Sequence, residues 1–446
     1  MISETRLVPF SLLDELFFHI DQPETPFGLH MHLRFDRPLD AARLADAVCR
    51  AAARHPLMRA SLAPYSAHDR QYHWRIALEL SEAPLAVVDA SDEEQFATLR
   101  DHFYSQSVAL DQQPPFRLLL VKHADHDSLL LNLHHAAADA TGAYRLISAV
   151  LRAYLRCPDS EADVVFRDAR DLIGQLGARN VVERLNRVRR LLEILGKSVM
   201  PPTRIAGEGG QAGDGVGLVP IRFSVADTRR LQSLRQDGAT VNDVLLALLH
   251  LATARWNQEH GQRAGRITVM MPMNTRPPER RFEVISNLSL WVNVASRADQ
   301  RVNWQRLLAS VHRQTNTLKE RGTAGLLIDL LHNIRHLPLW ARQALPRLLP
   351  ITGNRIVDST VLNNIGRLPD PLPEGAELHI REWWFSTPCR LPMGMSVGSA
   401  TFADQLHLTL RYSRQQFDEH GAWAFAELLL DTLEQVYSSE TADLSG

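Results

Sequence analysis

Leu129-Leu-Leu-Asn-Leu-His-His-Ala-Ala-Ala-Asp-Ala-Thr-Gly142 is the stretch on which the reading of the chain turns. Leu129 to Leu133, interrupted only by Asn132, is the kind of short apolar run that makes a mostly buried strand. That strand would deliver His134 and His135 at its C-terminal end. Side chains alternate faces along a strand, so only one of the two histidines can enter a given cleft. Asp139 comes four residues after His135, where an apolar helix pattern through Tyr144, Leu146, Ile147, Val150, Leu151 and Tyr154 begins. A carboxylate at that point can cap backbone N–H groups and meet the positive end of the helix dipole. Histidine suits general-base work near neutral pH, provided a partner holds the ring and its tautomer. His-His-x-x-x-Asp at a strand-to-helix junction therefore reads as a chemical site, against the plainer reading of a strand end and a helix cap.

The elements around this stretch alternate. Gly28 to Asp36 has strand character, with Leu29, Met31, Leu33 and Phe35 on one face. A helix from Asp40 to about Ala53 follows, with Asp40 as its cap and an apolar side at Leu44, Ala47, Val48 and Ala51. Strands are expected at Tyr72 to Ile76 and Leu85 to Val88, a polar helix at Asp92 to Ser105, and a proline-started strand at Gln113 to Val121.

The chain has 446 residues, too many for one ordinary core and enough for two or three domains. Hydrophobic residues make up 45% and charged residues 22%, with a net charge of −2, so nothing marks nucleic acid as a partner. Cys49, Cys157 and Cys389 are few and scattered, which argues against a disulfide framework and against a metal site. The start is polar and no apolar run reaches the length of a membrane span, so a cytoplasmic location is expected.

His134-His135-Ala136-Ala137-Ala138-Asp139 resembles the HHxxxDG motif of the CoA- and carrier-protein-dependent acyltransferases. That superfamily includes peptide-synthetase condensation domains, wax ester/diacylglycerol acyltransferases and chloramphenicol acetyltransferase. Ala140 stands where the motif has glycine, and alanine would be strained there if the position needs positive φ or a very close backbone approach. Arg54-His55-Pro56-Leu57-Met58-Arg59 and Pro115-Phe116-Arg117-Leu118 resemble stretches of the condensation domain's first lobe. Ser11-Leu-Leu-Asp with Thr25-Pro-Phe is similar to the start of the wax ester synthases. The Asp-Phe-Gly-Trp-Gly motif of the plant members is absent, and the chain shows no adenylation or carrier segment, so the resemblance implies a free-standing protein.

Residues 164 to 200 look helical and basic, with Arg184, Arg187, Arg189, Arg190 and Lys197 among Leu185, Val188, Leu191, Leu192 and Ile194. Such a helix can dock an acidic carrier protein, lie on an anionic membrane, or simply show a solvated face. Pro201-Pro202 and the glycine run from Gly207 to Gly215 mark a linker and lack phosphate-loop spacing. The division read from this is an N-terminal lobe at 1–200 carrying the His motif, a linker at 201–217 and a C-terminal lobe at 218–446.

In the second half, a helix running through Val244, Leu245, Leu248 and Leu249 is capped by Asn242 or Asp243. Thr240-Val-Asn-Asp-Val-Leu-Leu-Ala247 resembles a characteristic superfamily stretch, in its expected place. Arg266 to Arg276 resembles the strand whose terminal arginine pairs with the motif aspartate, which implies Arg276 with Asp139. Val284 to Val294 resembles the strand that presents an asparagine to the channel, either Asn287 or Asn293, with Asn287 the better fit to the wax ester synthase spacing. Ser359 to Pro369 resembles the Ser-Asn-x-Gly strand, with Asn363-Asn364 in place of Ser-Asn. Asn364 and Ser386 join Arg276, Asn287 and Asn293 as structural or oxyanion candidates. Leu326 to Leu349 reads as short helices broken at Pro338 and Pro346, with core packing the default and an acyl site or membrane contact the alternatives.

The implied fold is α/β: two chloramphenicol acetyltransferase-like lobes forming a V-shaped pseudo-dimer with a central channel. The implied activity is transfer of an acyl group from acyl-CoA or a phosphopantetheinyl carrier-protein thioester to a hydroxyl or amine. The thioester is a co-substrate and no bound cofactor is needed. His135 is the base, Asp139 a brace, and His134 a structural neighbour. No G-x-S-x-G elbow supports a serine hydrolase. The competing readings are an inactive docking module and a wax ester or diacylglycerol acyltransferase at lipid surfaces, the latter with peripheral membrane contact.

Overall fold

The computed structural model describes residues 5–22, 26–112, 114–159, 170–197, 201–209, 213–236, 238–277, 281–320, 324–344 and 357–444. The apolar run becomes the strand Asp127–His134, every residue of which is buried. It is the central strand of a five-stranded sheet in the order Ile380–Ser386, Gly28–Phe35, Asp127–His134, Phe116–Lys122, Leu85–Asp89. Central placement explains the composition: a strand covered on both faces needs a continuous apolar run and not an alternating one. Neighbours pair antiparallel except Leu85–Asp89 with Phe116–Lys122, which is parallel.

Gly28–Phe35 alternates as expected, with Leu29, Met31, Leu33 and Phe35 in the main core under the helices Ala41–Arg54 and Ala140–Tyr154. Its other face carries His30 and His32, which are also buried. The helix Glu93–Tyr104 accounts for His30, whose ring stacks on Tyr104 at 4.0 Å. The caps follow the sequence: the Asp40 and Asp92 side chains accept from Arg43 and Gln95 N–H.

A six-stranded sheet forms the second half, in the order Ser289–Ser296, Ile267–Asn274, Thr360–Arg367, Met395–Phe402, Gln405–Ser413, Val216–Arg222. Its core includes side chains from the helices Val225–Ser233, Val241–Glu259, Trp304–Glu320 and Glu419–Leu444. Neither Asn242 nor Asp243 is the cap of Val241–Glu259. Thr240 takes that position, and Asp243 completes a capping box by accepting from Thr240 N–H at 2.8 Å. A threonine in extended geometry turns its hydroxyl onto the first turn, where a residue already inside the helix cannot reach.

Two features cut across a division at 201–217. Ile205 and Ala206 are buried in the second core, and Val216 already begins a strand of the second sheet. Ile380–Ser386, from the second half of the chain, pairs with Gly28–Phe35 of the first sheet, with Trp384 opposite His32 and Ser386 opposite His30. The halves are thus tied by a backbone ladder as well as by side chains.

The basic stretch forms the helices Leu172–Leu176 and Val181–Lys197, while 160–169 and 198–200 lie outside the described residues. Arg187 is spent on Asp329 at 2.9 Å and Glu183 at 2.5 Å. Val181, Val182 and Leu185 are 72%, 68% and 64% exposed, so this helix turns apolar side chains to solvent. Leu326 to Leu349 contributes to the helices Ala324–Ile334 and Leu339–Ala344, and 345–350 lie outside the described residues. Among the described residues no helix is long and apolar enough to cross a membrane.

Candidate active site

The Asp127–His134 strand ends at a cavity of about 350 Å³ between the two sheets. His135, Asp139 and Asn364 line it, and so do Phe17, Phe27, Leu290 and Trp291. The two adjacent histidines part company, as strand alternation requires. His134 turns away: its Nδ1 accepts from Ala136 N–H at 3.0 Å and its Nε2 lies 3.3 Å from an Asp21 carboxylate oxygen. His135 faces the cavity.

The His135 ring lies flat against Phe17, with centroids 3.7 Å apart and planes 10° from parallel, and Phe27 continues the stack at 5.7 Å. Asn287 donates to the backbone carbonyls of His135 and Ala136 at 2.5 and 2.9 Å, fixing the turn that carries the ring. Burial lowers the ring's pKa from 6.5 to about 4, against the opposing pull of its own backbone carbonyl and the Asp139 charge. The ring is therefore neutral at physiological pH.

Asp139 caps Ala140–Tyr154 by accepting from Gly142 N–H at 2.9 Å on one oxygen. Its other oxygen takes Arg276 Nη1 at 2.6 Å, Leu288 N–H at 2.8 Å and Ser289 Oγ at 2.9 Å. Burial alone would raise this carboxyl's pKa, but the Arg276 charge and these donors hold it below the usual carboxylate value. Arg276 also donates to Ser286 O at 2.7 Å. The motif carboxylate is thus a joint between the halves of the chain, and its hydrogen bonds go to Gly142, Arg276, Leu288 and Ser289, with none to His135.

Ala140 adopts no positive φ; among the described non-glycine residues those are Arg156, Ala403 and Asp404. The close approach falls two residues later. A Cβ on Gly142 would come within 2.8 Å of Ala138 Cβ and 3.0 Å of Ser286 O. The glycine that this helix start needs is at 142, and alanine at 140 is accommodated.

The remaining candidates divide. Asn287 and Arg276 belong to the site's frame, and Asn364 lines the cavity, its Oδ1 accepting from Gly366 N–H at 2.9 Å. Asn293 is exposed on Ser289–Ser296 and bonds Asp358, away from the cavity. Ser386 is buried with its Oγ unpartnered beside His30 and Tyr104 in a separate small pocket. Its neighbours Thr387 and Pro388 reach the cavity instead. Sequence reasoning passed over Phe17. Its helix, Leu12–Ile20, has a Ser11–Asp14 capping box, and the buried Asp14 also takes Trp74 Nε1 at 2.8 Å and a guanidinium N–H of Arg170.

A profile of the condensation domain family matches residues 17–162. An uncharacterised protein of Mycobacterium tuberculosis strain H37Rv is 32% identical over 435 residues, covering 96% of this chain and 99% of that one. Surfactin synthase subunit 1 of Bacillus subtilis strain 168 is 26% identical over 136 residues, which is 30% of this chain and 4% of that protein. Solved folds agree over nearly the full length. The starter condensation domain of rhizomide synthetase in complex with C8-CoA and Leu-SNAC superposes with a TM-score of 0.69 at 14% identity, over 96% of this chain and 93% of that one. The epimerization domain of the third module of tyrocidine synthetase B gives 0.66 at 14% identity, over 98% of both chains. Residues 17–162 thus carry a condensation-domain match, the chain shares its family with the uncharacterised mycobacterial protein, and its fold is the two-lobed, chloramphenicol acetyltransferase-like fold of the condensation domains.

Two predictions follow from this geometry. Arg276→Ala leaves the buried Asp139 charge without its cation and should lower the urea unfolding free energy by about 3–5 kcal/mol; a loss below about 1 kcal/mol would mean the pair acts like a surface ion pair. Acid should destabilise the fold. His135 and His407, whose pKa values burial lowers to about 4, and His250, lowered to about 3, are neutral when folded and take up protons on unfolding below 6.5. The unfolded state then binds more protons, so stability falls as pH drops from 6.5 towards about 4. Thermal melts across that range check this, and a flat melting temperature would contradict buried neutral rings.

Proposed function

We propose that this protein is a thioester-dependent acyltransferase that uses His135 as general base. The observation that carries the reading is a neutral imidazole clamped against Phe17 and facing a largely apolar cavity, with the motif aspartate committed to Arg276. A thioester is already an activated acyl donor, so no covalent enzyme intermediate is required. The acceptor hydroxyl or amine attacks the thioester carbonyl while His135 Nε2 takes its proton. The tetrahedral oxyanion then collapses, the C–S bond breaks, and the imidazolium returns the proton to the leaving sulfur. The products are an ester or amide and a free thiol. A positioned base contributes roughly 10²–10⁴-fold. Asn364, whose Oδ1 is held by Gly366, offers its amide N–H groups to the cavity as oxyanion donors. The rhizomide domain's complex with C8-CoA and Leu-SNAC supports a thioester as the co-substrate class here too, on CoA or a carrier protein.

Ala140 was the one sequence feature favouring an inactive docking module, and its ordinary backbone conformation removes that argument. A lipid-surface enzyme keeps a specific observation in its favour: Val181, Val182 and Leu185 are exposed on a helix that also carries Arg184 and Arg189. Apolar side chains flanked by arginines suit the interface of an anionic bilayer.

Thiol release from acyl-CoA and acyl-carrier thioesters, with alcohol and amine acceptors, tests the main reading. Acceptor-dependent release should fall by about 10²–10⁴-fold in His135→Ala, and equal release from both proteins across a broad panel would sink it. Sedimentation with phosphatidylglycerol vesicles tests the second. The wild type should pellet at low salt, and Arg184→Glu/Arg189→Glu should stay in the supernatant. Wild-type protein that never pellets would exclude the lipid-surface form.

A further inference from the structure

Among the described residues, one of the charged groups that line the cavity has no protein partner. Asp139 is consumed by Arg276, Leu288 and Ser289. Arg281 donates to Ile365 O at 2.5 Å. Arg390 reaches the same cavity from the loop between the strands Ile380–Ser386 and Met395–Phe402, and no described residue pairs with its guanidinium. The group is more than half out of water, and burial alone pulls its pKa down, with no carboxylate pulling it back. Desolvating a cation without a counter-ion costs free energy, and structural arginines in partly buried places normally have a carboxylate or several carbonyls to donate to. Among the described residues Arg390 has neither. Its only described hydrogen bond is by its backbone carbonyl, which accepts from Met393 N–H at 2.9 Å.

A wall of Phe17, Leu290, Trp291 and Ile365 that carries one unpaired guanidinium has a specific chemical meaning. The wall takes an apolar chain, and the fork of N–H donors takes a planar or tetrahedral oxyanion. With Arg281 on the same wall and Asp139 neutralised by its own arginine, the local field favours a negative ligand.

We infer that Arg390 is a specificity-determining residue that binds an anionic oxygen group of a substrate, carboxylate or phosphate, inside the largely apolar cavity. This rests on the acyltransferase reading and adds a substrate class to it: one of the two reactants carries its negative charge into the cavity. The carboxylate of an acceptor and the phosphate of a CoA or phosphopantetheine arm share that chemistry.

The test is a two-by-two comparison of wild type, Arg390→Met and Arg390→Lys. Acceptors are ω-hydroxydecanoate and its methyl ester; donors are octanoyl-CoA and octanoyl-N-acetylcysteamine. A charged hydrogen bond of this kind corresponds to about ten- to a hundredfold in KM. If the acceptor supplies the anion, wild type prefers the acid over the ester by that factor, Arg390→Met erases the preference, and Arg390→Lys keeps part of it. If the donor supplies it, the same pattern appears in the ratio of CoA to N-acetylcysteamine thioester. Both ratios near one in the wild type, or unchanged in Arg390→Met, overturn the inference. Should no pair turn over, the anion site is decided separately by calorimetry. Decanoate binding tighter than decanol in the wild type but not in Arg390→Met supports the site, and no difference between the two ligands rejects it.

Discussion

A carboxylate removed from water must have its oxygens satisfied by protein donors, and Asp139 meets that demand with groups drawn from both halves of the chain. Gly142 N–H comes from its own helix, whereas Arg276, Leu288 N–H and Ser289 Oγ come from the second half. Satisfying one charge therefore requires the two sheets to meet in one register. The same demand settles what Asp139 does not do. With its partners drawn from the helix start and the second half, it exerts its field on His135 without a hydrogen bond between them.

The ring must then be held by other means, and these converge on the same short segment. Phe17 stacks on His135, and its helix is anchored through Asp14 to Arg170. Arg170 donates to Ser286 Oγ at 3.2 Å, while Ser286 O accepts from Arg276, and the next residue, Asn287, holds the His135 turn. Two buried carboxylate–arginine pairs and the backbone clamp on His135 thus share residues 286 to 289. Neighbours bound into one network do not act additively, so this segment is where a small displacement would reach His135, Asp139 and Phe17 together.

Much of this was legible in the chain because it is local. Leu129 to Leu133 specified a doubly covered strand, alternation split His134 from His135, and Asp40, Asp92 and Asp139 cap the helices they precede. What escaped is non-local. The apolar character of Trp383, Trp384 and Phe385 fits a strand, yet no pattern says that it joins the first sheet. With one strand drawn through both, only the wax ester synthase spacing favoured Asn287 over Asn293; Ser289–Ser296 begins after Asn287, so a common periodicity does not apply. Ser386 was a face error of one residue, since Thr387 and Pro388 turn toward the cavity. Phe17 sits in an amphipathic helix where an apolar residue reads as ordinary core, and nothing in its neighbours points to a histidine more than a hundred residues away.

The low basicity of His135 follows from its burial. On the proposed reading the same burial would also limit the access of water, a competing nucleophile, to the thioester. Stacked on Phe17 and walled by Phe27, Leu290 and Trp291, the ring gives up part of its proton affinity. In the mechanism proposed above, an acceptor seated in the cavity would restore that affinity during attack, because the oxyanion formed beside the ring would stabilise the imidazolium in a medium where a nearby opposite charge counts for far more than it does in water. The apolar wall and the depressed pKa therefore have one physical origin, the burial of the ring between Phe17 and the cavity.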